Sequence, residues 1–183
     1  MQNGKRVGYS KFEGGVKNMK ENRYTYRAKT INNDRLFWVY GSYIKMLPYT
    51  PAPIRECEPP ESDYKHLIIR EDFSDWNMPR GLKSVEVLPE TVGQCTGLKD
   101  KNGNYIYEGD LVRYAECEIE DIEPDWEYDE IIWGDKYSYP AFDFKNGNLF
   151  DCNGLSYIFN EGWVIEVIGN IYDNNIKELI KNV

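Results

Sequence analysis

The hydrophobic positions of this chain recur at short, strand-like intervals broken by glycine, asparagine and proline, and only residues 174–183 carry a helical period. From Tyr24 to Lys29 the chain mixes aromatic and β-branched side chains, Asn32, Asn33 and Asp34 mark a turn, and residues 36–44 form a long apolar run. That order predicts a hairpin. Its second strand is apolar on both faces, which predicts a place inside a sheet or beneath other chain. Pro48, Pro51, Pro53, Pro59 and Pro60 then exclude regular helix and most sheet pairing, so an extended loop follows. Its Pro-x-x-Pro character is nominal, and a Pro-rich recognition ligand is the minor reading. Residues 66–70 and 85–88 predict two short strands around a polar loop, 71–80, in which Trp76 and Met78 are the expected anchors.

The second half is denser in turns. Residues 99–104 (Lys-Asp-Lys-Asn-Gly-Asn) and 108–110 (Glu-Gly-Asp) are tight-turn chemistry, with short apolar runs at 105–107 and 111–114. Further runs at 130–134, 141–144, 149–150 and 163–172 are separated by Asn146-Gly147 and Asn153-Gly154. Many short strands at this spacing fit a small barrel or roll. Gly97, Gly103 and Gly109 are placed at chain reversals and Gly169 at a strand end, while Asp100, Asn102 and Asp110 can accept backbone N–H groups across the turns. In the tail, Ile176, Leu179, Ile180 and Val183 predict a short C-terminal helix. The expected organisation is mainly β: a flexible, Gly- and Lys-rich leader at 1–20, a β-rich region at 21–88, and a small barrel domain at 89–183.

Charge changes this picture at one place. Glu116, Glu118, Glu120, Asp121, Glu123, Asp125, Glu127, Asp129 and Glu130 occur without a lysine or arginine among them, and they carry the whole net charge of −9. An acidic loop over 116–130 repels nucleic acid and attracts basic partners; the plainer reading is a solvated connection between strands. The interspersed Ile119, Ile122 and Trp126 keep the first reading open. Cys57, Cys95, Cys117 and Cys152 are too widely spaced for the disulfide framework of a secreted mini-domain or for a zinc site, so free thiols are expected. With no apolar run long enough for a membrane span or a secretion signal, the expected location is the cytosol.

Candidate chemistry is sparse. His66 is the single histidine and no spacing recommends it as the base of a cysteine nucleophile. Asp100, Asn102 and Asn104 open like an oxygen-ligand loop, but the position that needs a bidentate glutamate is Leu111. Phosphate-binding glycine strings do not occur. No cofactor, metal or catalytic residue is therefore assigned.

Binding is the better-supported class. Aromatic residues make up 15% of the chain. Trp38, Trp133, Phe142, Phe144 and Trp163 are expected in the core, whereas Trp126, Tyr137, Tyr139 and Tyr157 are candidates for a protein-binding surface. The aromatic surplus also motivates self-association. Lys99, Lys101, Arg113 and Lys136 are the candidates for a nucleic-acid face. One continuous positive face would favour nucleic acid, and dispersal or pairing with acids would favour protein. A hydrolase assembled from scattered acids is the third and least supported reading.

Residues 89–112, PETVGQCTGLKDKNGNYIYEGDLV, followed in order by EVIGNIYDN at 166–174 and preceded by Trp38-Val39-Tyr40-Gly41, resemble the YopX family of phage and prophage proteins, over about residues 20–175. The resemblance implies a small bacterial-phage protein whose C-terminal part is an SH3-like barrel, and it brings no catalytic residues. The family pattern usually begins near Met19-Lys20, which sets residues 1–18 apart as an added leader or the result of an upstream start choice.

Overall fold

The computed structural model of the chain describes residues 24–31, 36–48, 59–72, 81–116, 124–134, 140–147 and 153–173. Ten strands occur among them: β1 (Tyr26–Lys29), β2 (Trp38–Met46), β3 (Lys65–Asp72), β4 (Gly81–Glu86), β5 (Gly93–Lys99), β6 (Tyr105–Tyr107), β7 (Asp110–Ala115), β8 (Glu127–Trp133), β9 (Phe142–Phe144) and β10 (Val164–Asn170). A single α-helix, α1 (Gly154–Glu161), precedes β10. The strands form two antiparallel sheets, one of six strands in the order β4-β3-β2-β1-β5-β6 and one of four in the order β10-β7-β8-β9. The fold is mainly β.

The hairpin expected from the first apolar runs is present, with Ala28 opposite Val39 and Tyr26 opposite Gly41. β2 is interior to its sheet, lying between β1 and β3. Gly41 is required there by close approach: a Cβ would stand 2.2 Å from the carbonyl oxygen of Ile69. β5 pairs with β1, so the first part of the signature segment extends the first sheet, whereas β7 opens the second.

Alternation then sorts the side chains. In the first sheet Ala28, Val39, Ile68 and Val87 are fully buried on one face, with Tyr26, Tyr43, Val85 and Val92 against them. In the second, Val112, Tyr114, Ile131, Phe144 and Ile165 point to one face and meet Leu155 and Ile158 of α1. Burying such aliphatic side chains stabilises the fold by about 1.5–3 kcal/mol each. Tyr114 stacks on Phe144 with ring centroids 4.6 Å apart. The two sheets thus have separate cores.

Several expectations need correction. Among the described residues neither sheet closes into a barrel. Asn153-Gly154 is not a strand-separating turn but the start of α1: the Asn153 side chain accepts the Ser156 N–H at 2.7 Å, and Asp143 from β9 accepts the Leu155 N–H at 3.0 Å. The helix stops at Gly162 in the left-handed region. Gly97, expected at a reversal, lies inside β5 at an irregularity in strand register, and Gly169 stands one residue before the end of β10, beside its own irregularity. Trp133, expected in the core, is 51% exposed. The expected leader, most of the proline-rich loop, and the C-terminal helix at 174–183 lie outside the described residues.

Candidate functional site

The chemistry of the molecule gathers where the two sheets meet. Arg27 projects from β1 on the face opposite the Ala28 core, and its guanidinium is bonded to the Asp110 carboxylate at the start of β7. Both side chains are nearly inaccessible to solvent. The guanidinium also lies over the Trp38 ring at 4.8 Å and the Tyr107 ring at 4.7 Å. Asp110 is held in turn by the Tyr107 N–H at 2.8 Å and the Asn170 side-chain amide at 3.5 Å. Burial nevertheless pushes its carboxyl above the ordinary value, against the pull of Arg27. Beside it, the Glu108 carboxylate accepts backbone N–H groups of Gln94 and Trp133, one in each sheet, and is also raised by burial. Lys29 completes the joint through the Tyr172 carbonyl at 2.6 Å and Asp173 at 2.8 Å.

The turn residues explain how the chain reaches this point. Gly109 has φ +79°, which favours glycine, and a Cβ there would crowd Asn170 and Tyr172 at 3.4 Å. Its N–H donates to the Ile131 carbonyl and its own carbonyl accepts from Ile171, so the Glu108–Asp110 reversal is tied to β8 and to the end of β10. At the preceding turn, Asp100 accepts the Asn102, Asn104 and Val167 N–H groups at 2.9, 2.8 and 3.2 Å. Gly103 supplies a positive φ of 84°. Asn102 donates its side chain outward, to Glu166. Asp100, Gly103, Gly109 and Asp110 are thus joined through the turns to Gly169-Asn170 at the end of β10, the second signature string.

A sequence model of the family described as "YopX protein" matches residues 25–180. The chain belongs to the YopX family. No curated protein and no solved structure matches it significantly. In this YopX chain the signature words are the parts that join the two sheets. The matched segment therefore spans both sheets and the polar joint between them.

The residues singled out for binding are distributed unevenly. Lys101 and Arg113, proposed for nucleic acid, and Trp126, proposed for protein, converge at one spot on the outer face of the second sheet. Trp126 lies beneath both cations, 5.1 Å from the Lys101 ammonium and 4.4 Å from the Arg113 guanidinium. Both cations are also drawn to Glu166: Arg113 at 2.7 and 2.6 Å through two nitrogens, Lys101 at 3.6 Å. Arg113 holds the Glu166 carboxyl below its ordinary value. Lys99 lies apart, over the Tyr105 ring at 4.5 Å. The described cations of that set are paired or covered, and Lys136, Tyr137 and Tyr139 lie outside the described residues. Tyr157 is on α1, 39% exposed, edge-on to Trp163. Of the acidic loop, 117–123 lies outside the described residues; Asp129 is buried, accepts the Glu130 and Asn146 N–H groups, and is raised by burial.

Reactive groups are engaged structurally. Cys95 is a buried free thiol pushed up by desolvation, which makes it a weak nucleophile. His66 bonds the Tyr43 hydroxyl through Nδ1 at 2.6 Å, and its Nε2 is 3.3 Å from Glu61, clasping β2, β3 and the short turn at Glu61–Asp63. Among the described residues no group of three or more His, Cys, Asp or Glu side chains is placed to hold a metal ion. No helix among them is long and apolar enough to cross a membrane.

Sequence reasoning missed an open apolar surface. Opposed positions in antiparallel strands share a face, so Ile44 of β2, Leu67 of β3 and Glu86 of β4 form one row, and Ser42, Ile69 and Ser84 the next. Tyr40, Ile44, Met46 and Leu82 on this face are 48, 44, 40 and 79% exposed. It is the same face that carries Arg27. The Glu108–Asp110 turn and Tyr107 cover the β1 end of it and leave the β2–β4 end open. The apolar character of both faces of residues 36–44 was the available signal, and cover by other chain was its wrong interpretation for this half.

Proposed function

We propose that the chain is a non-catalytic protein-binding module of the phage and prophage type, and that the open β2–β3–β4 face receives the partner. The observation that carries this reading is that surface itself. Tyr40, Ile44, Met46 and Leu82 share one sheet face with half-buried Leu67 and Ile69, interspersed with Ser42, Ser84 and Glu86, and exposed apolar side chains gathered on one face mark interaction sites. A rigid sheet presents them at low entropic cost, because strand pairing has already fixed the backbone. The pairing of Lys101 and Arg113 with Glu166 supports protein over nucleic acid, since those cations are already neutralised within the fold.

The test is capture of partners from a bacterial host lysate, with and without nuclease, by the wild-type chain and by the Ile44→Glu, Leu82→Glu double variant. The reading expects a stoichiometric protein that survives nuclease and is lost from the double variant. Salt-sensitive nucleic acid, with proteins released by nuclease, would overturn it. Self-association through the same face is read in parallel by light scattering.

A further inference from the structure

The open half-face ends at a sheet edge that is paired only at one end. β4 is the last strand of the six-stranded sheet; at its end the Glu86 carbonyl accepts the Ile31 N–H at 3.2 Å and Val87 bridges Thr30, and over Gly81–Val85 its outer backbone groups have no strand partner among the described residues. The other edge strands are less suited to accept one: β6 and β9 have three residues each, and β10 is bulged between Val167 and Gly169. β4 pairs with β3 in unbroken register over Gly81–Glu86.

An unusual pair of charges sits on this edge. Arg70 of β3 and Lys83 of β4 are directly opposed and both exposed. Like charges in that relation repel. Every other lysine or arginine among the described residues meets a carboxylate, except Lys99, which lies over Tyr105. Arg70 and Lys83 have neither kind of partner among the described residues. On the other face of the same strand Leu82 projects opposite Glu71, in the row next to Ile69.

We propose that the β4 edge accepts an extended acidic segment of a partner protein as a seventh strand, its carboxylates turned to Arg70 and Lys83 and its apolar side chains turned to the Leu82 face. This rests on the protein-binding reading above and names the chemistry of the partner. A strand alternates its side chains between faces, so a segment of alternating acidic and apolar residues satisfies both sides at once while its backbone completes the ladder. Pairing of β4 with a second copy of itself would bring two Arg70–Lys83 pairs to one seam, and the charges oppose it.

The probe is a fluorescein-labelled octapeptide of alternating valine and glutamate, titrated by anisotropy at low and high salt. Its controls are the valine–lysine peptide and the valine–glutamate peptide N-methylated at alternate residues. The wild-type chain is expected to bind the acidic peptide, to reject the basic one, and to lose binding when N-methylation blocks the ladder. The Arg70→Glu, Lys83→Glu variant is expected to weaken acidic-peptide binding by about tenfold or more and to gain the basic peptide. Equal binding of the two peptides, indifference to N-methylation, or no exchange of preference in the variant would overturn the proposal. So would a variant that dimerises while the wild-type chain binds no peptide, because the charges would then only guard the edge. If no peptide binds but the lysate partner is still lost from the Ile44→Glu, Leu82→Glu variant, this proposal fails and the broader reading stands.

Discussion

The two sheets solve the same problem differently. The four-stranded sheet lays one face on α1 and fills the space with Tyr114, Phe144, Ile131, Leu155 and Ile158, so its core is closed. The six-stranded sheet buries a smaller fully inaccessible set, Ala28, Val39, Ile68 and Val87, and leaves half of its other face in solvent. Between them lies a joint made of a buried ion pair, a buried glutamate and backbone hydrogen bonds rather than of aliphatic packing. One region holds the fold and the other is free to present a surface, while the joint fixes their relation by geometry that apolar contact alone would not specify.

Breaking the joint should have the largest effect. Asp110→Ala leaves Arg27 charged and buried without its partner, and a loss of about 3–5 kcal/mol is expected in urea unfolding. The Arg27→Met, Asp110→Leu double variant should cost clearly less than the sum of the single changes, and additive losses would show that the pair does not act as a unit. Next comes the closed core. Phe144→Ala should cost about 3–5 kcal/mol, and the much smaller truncation Ile68→Val, in the other core, about 0.5–1.5 kcal/mol. The cap that starts α1 is worth less: Asn153→Ala should cost about 1 kcal/mol, read as a lowered unfolding midpoint.

The joint also predicts an unusual response to acid. Glu108, Asp110 and Asp129 are each held above the ordinary carboxylate value by burial. The folded protein therefore binds protons at a pH where the unfolded chain does not, and stability rises as pH falls through the raised values, the gain being complete below the unfolded ones. Glu166 works in the opposite sense, but its lowered value places that loss below the ordinary carboxylate range. A urea midpoint that rises as pH is lowered toward the ordinary carboxylate values is expected, and one that only falls would contradict burial as the dominant influence on these three groups.

Much of the local structure was legible in the sequence because it depends on near neighbours. The pairing of β1 with β2, from two neighbouring apolar runs, and the reversal made by the glycine and aspartate of residues 108–110 depend on residues close in sequence. The joint was not legible, because Arg27 and Asp110 are 83 residues apart and neither is unusual alone. Helix α1 was missed because Gly-Leu-Ser-Tyr-Ile-Phe-Asn-Glu is only eight residues long and rich in strand-favouring side chains; its start depends on Asp143 from a different element. The open face was missed because exposure follows from which strands neighbour β2 and from where the Glu108–Asp110 turn lands. Trp126, Lys101 and Arg113 were each noticed, but their convergence on Glu166 needs the register of β7 against β10.

The division of labour between the sheets is tested most directly by placing a charge on each and measuring stability and partner capture together. Ile44→Glu on the first sheet and Trp133→Glu on the second both alter half-exposed positions, and the second also gives up the edge-on contact with Phe142 at 4.7 Å, so a loss of about 1 kcal/mol is expected from each, the larger from Trp133. Partner capture should be lost from the Ile44 variant and retained by the Trp133 variant. The reverse pattern, or equal capture by both, would contradict the assignment of binding to the open face of the six-stranded sheet.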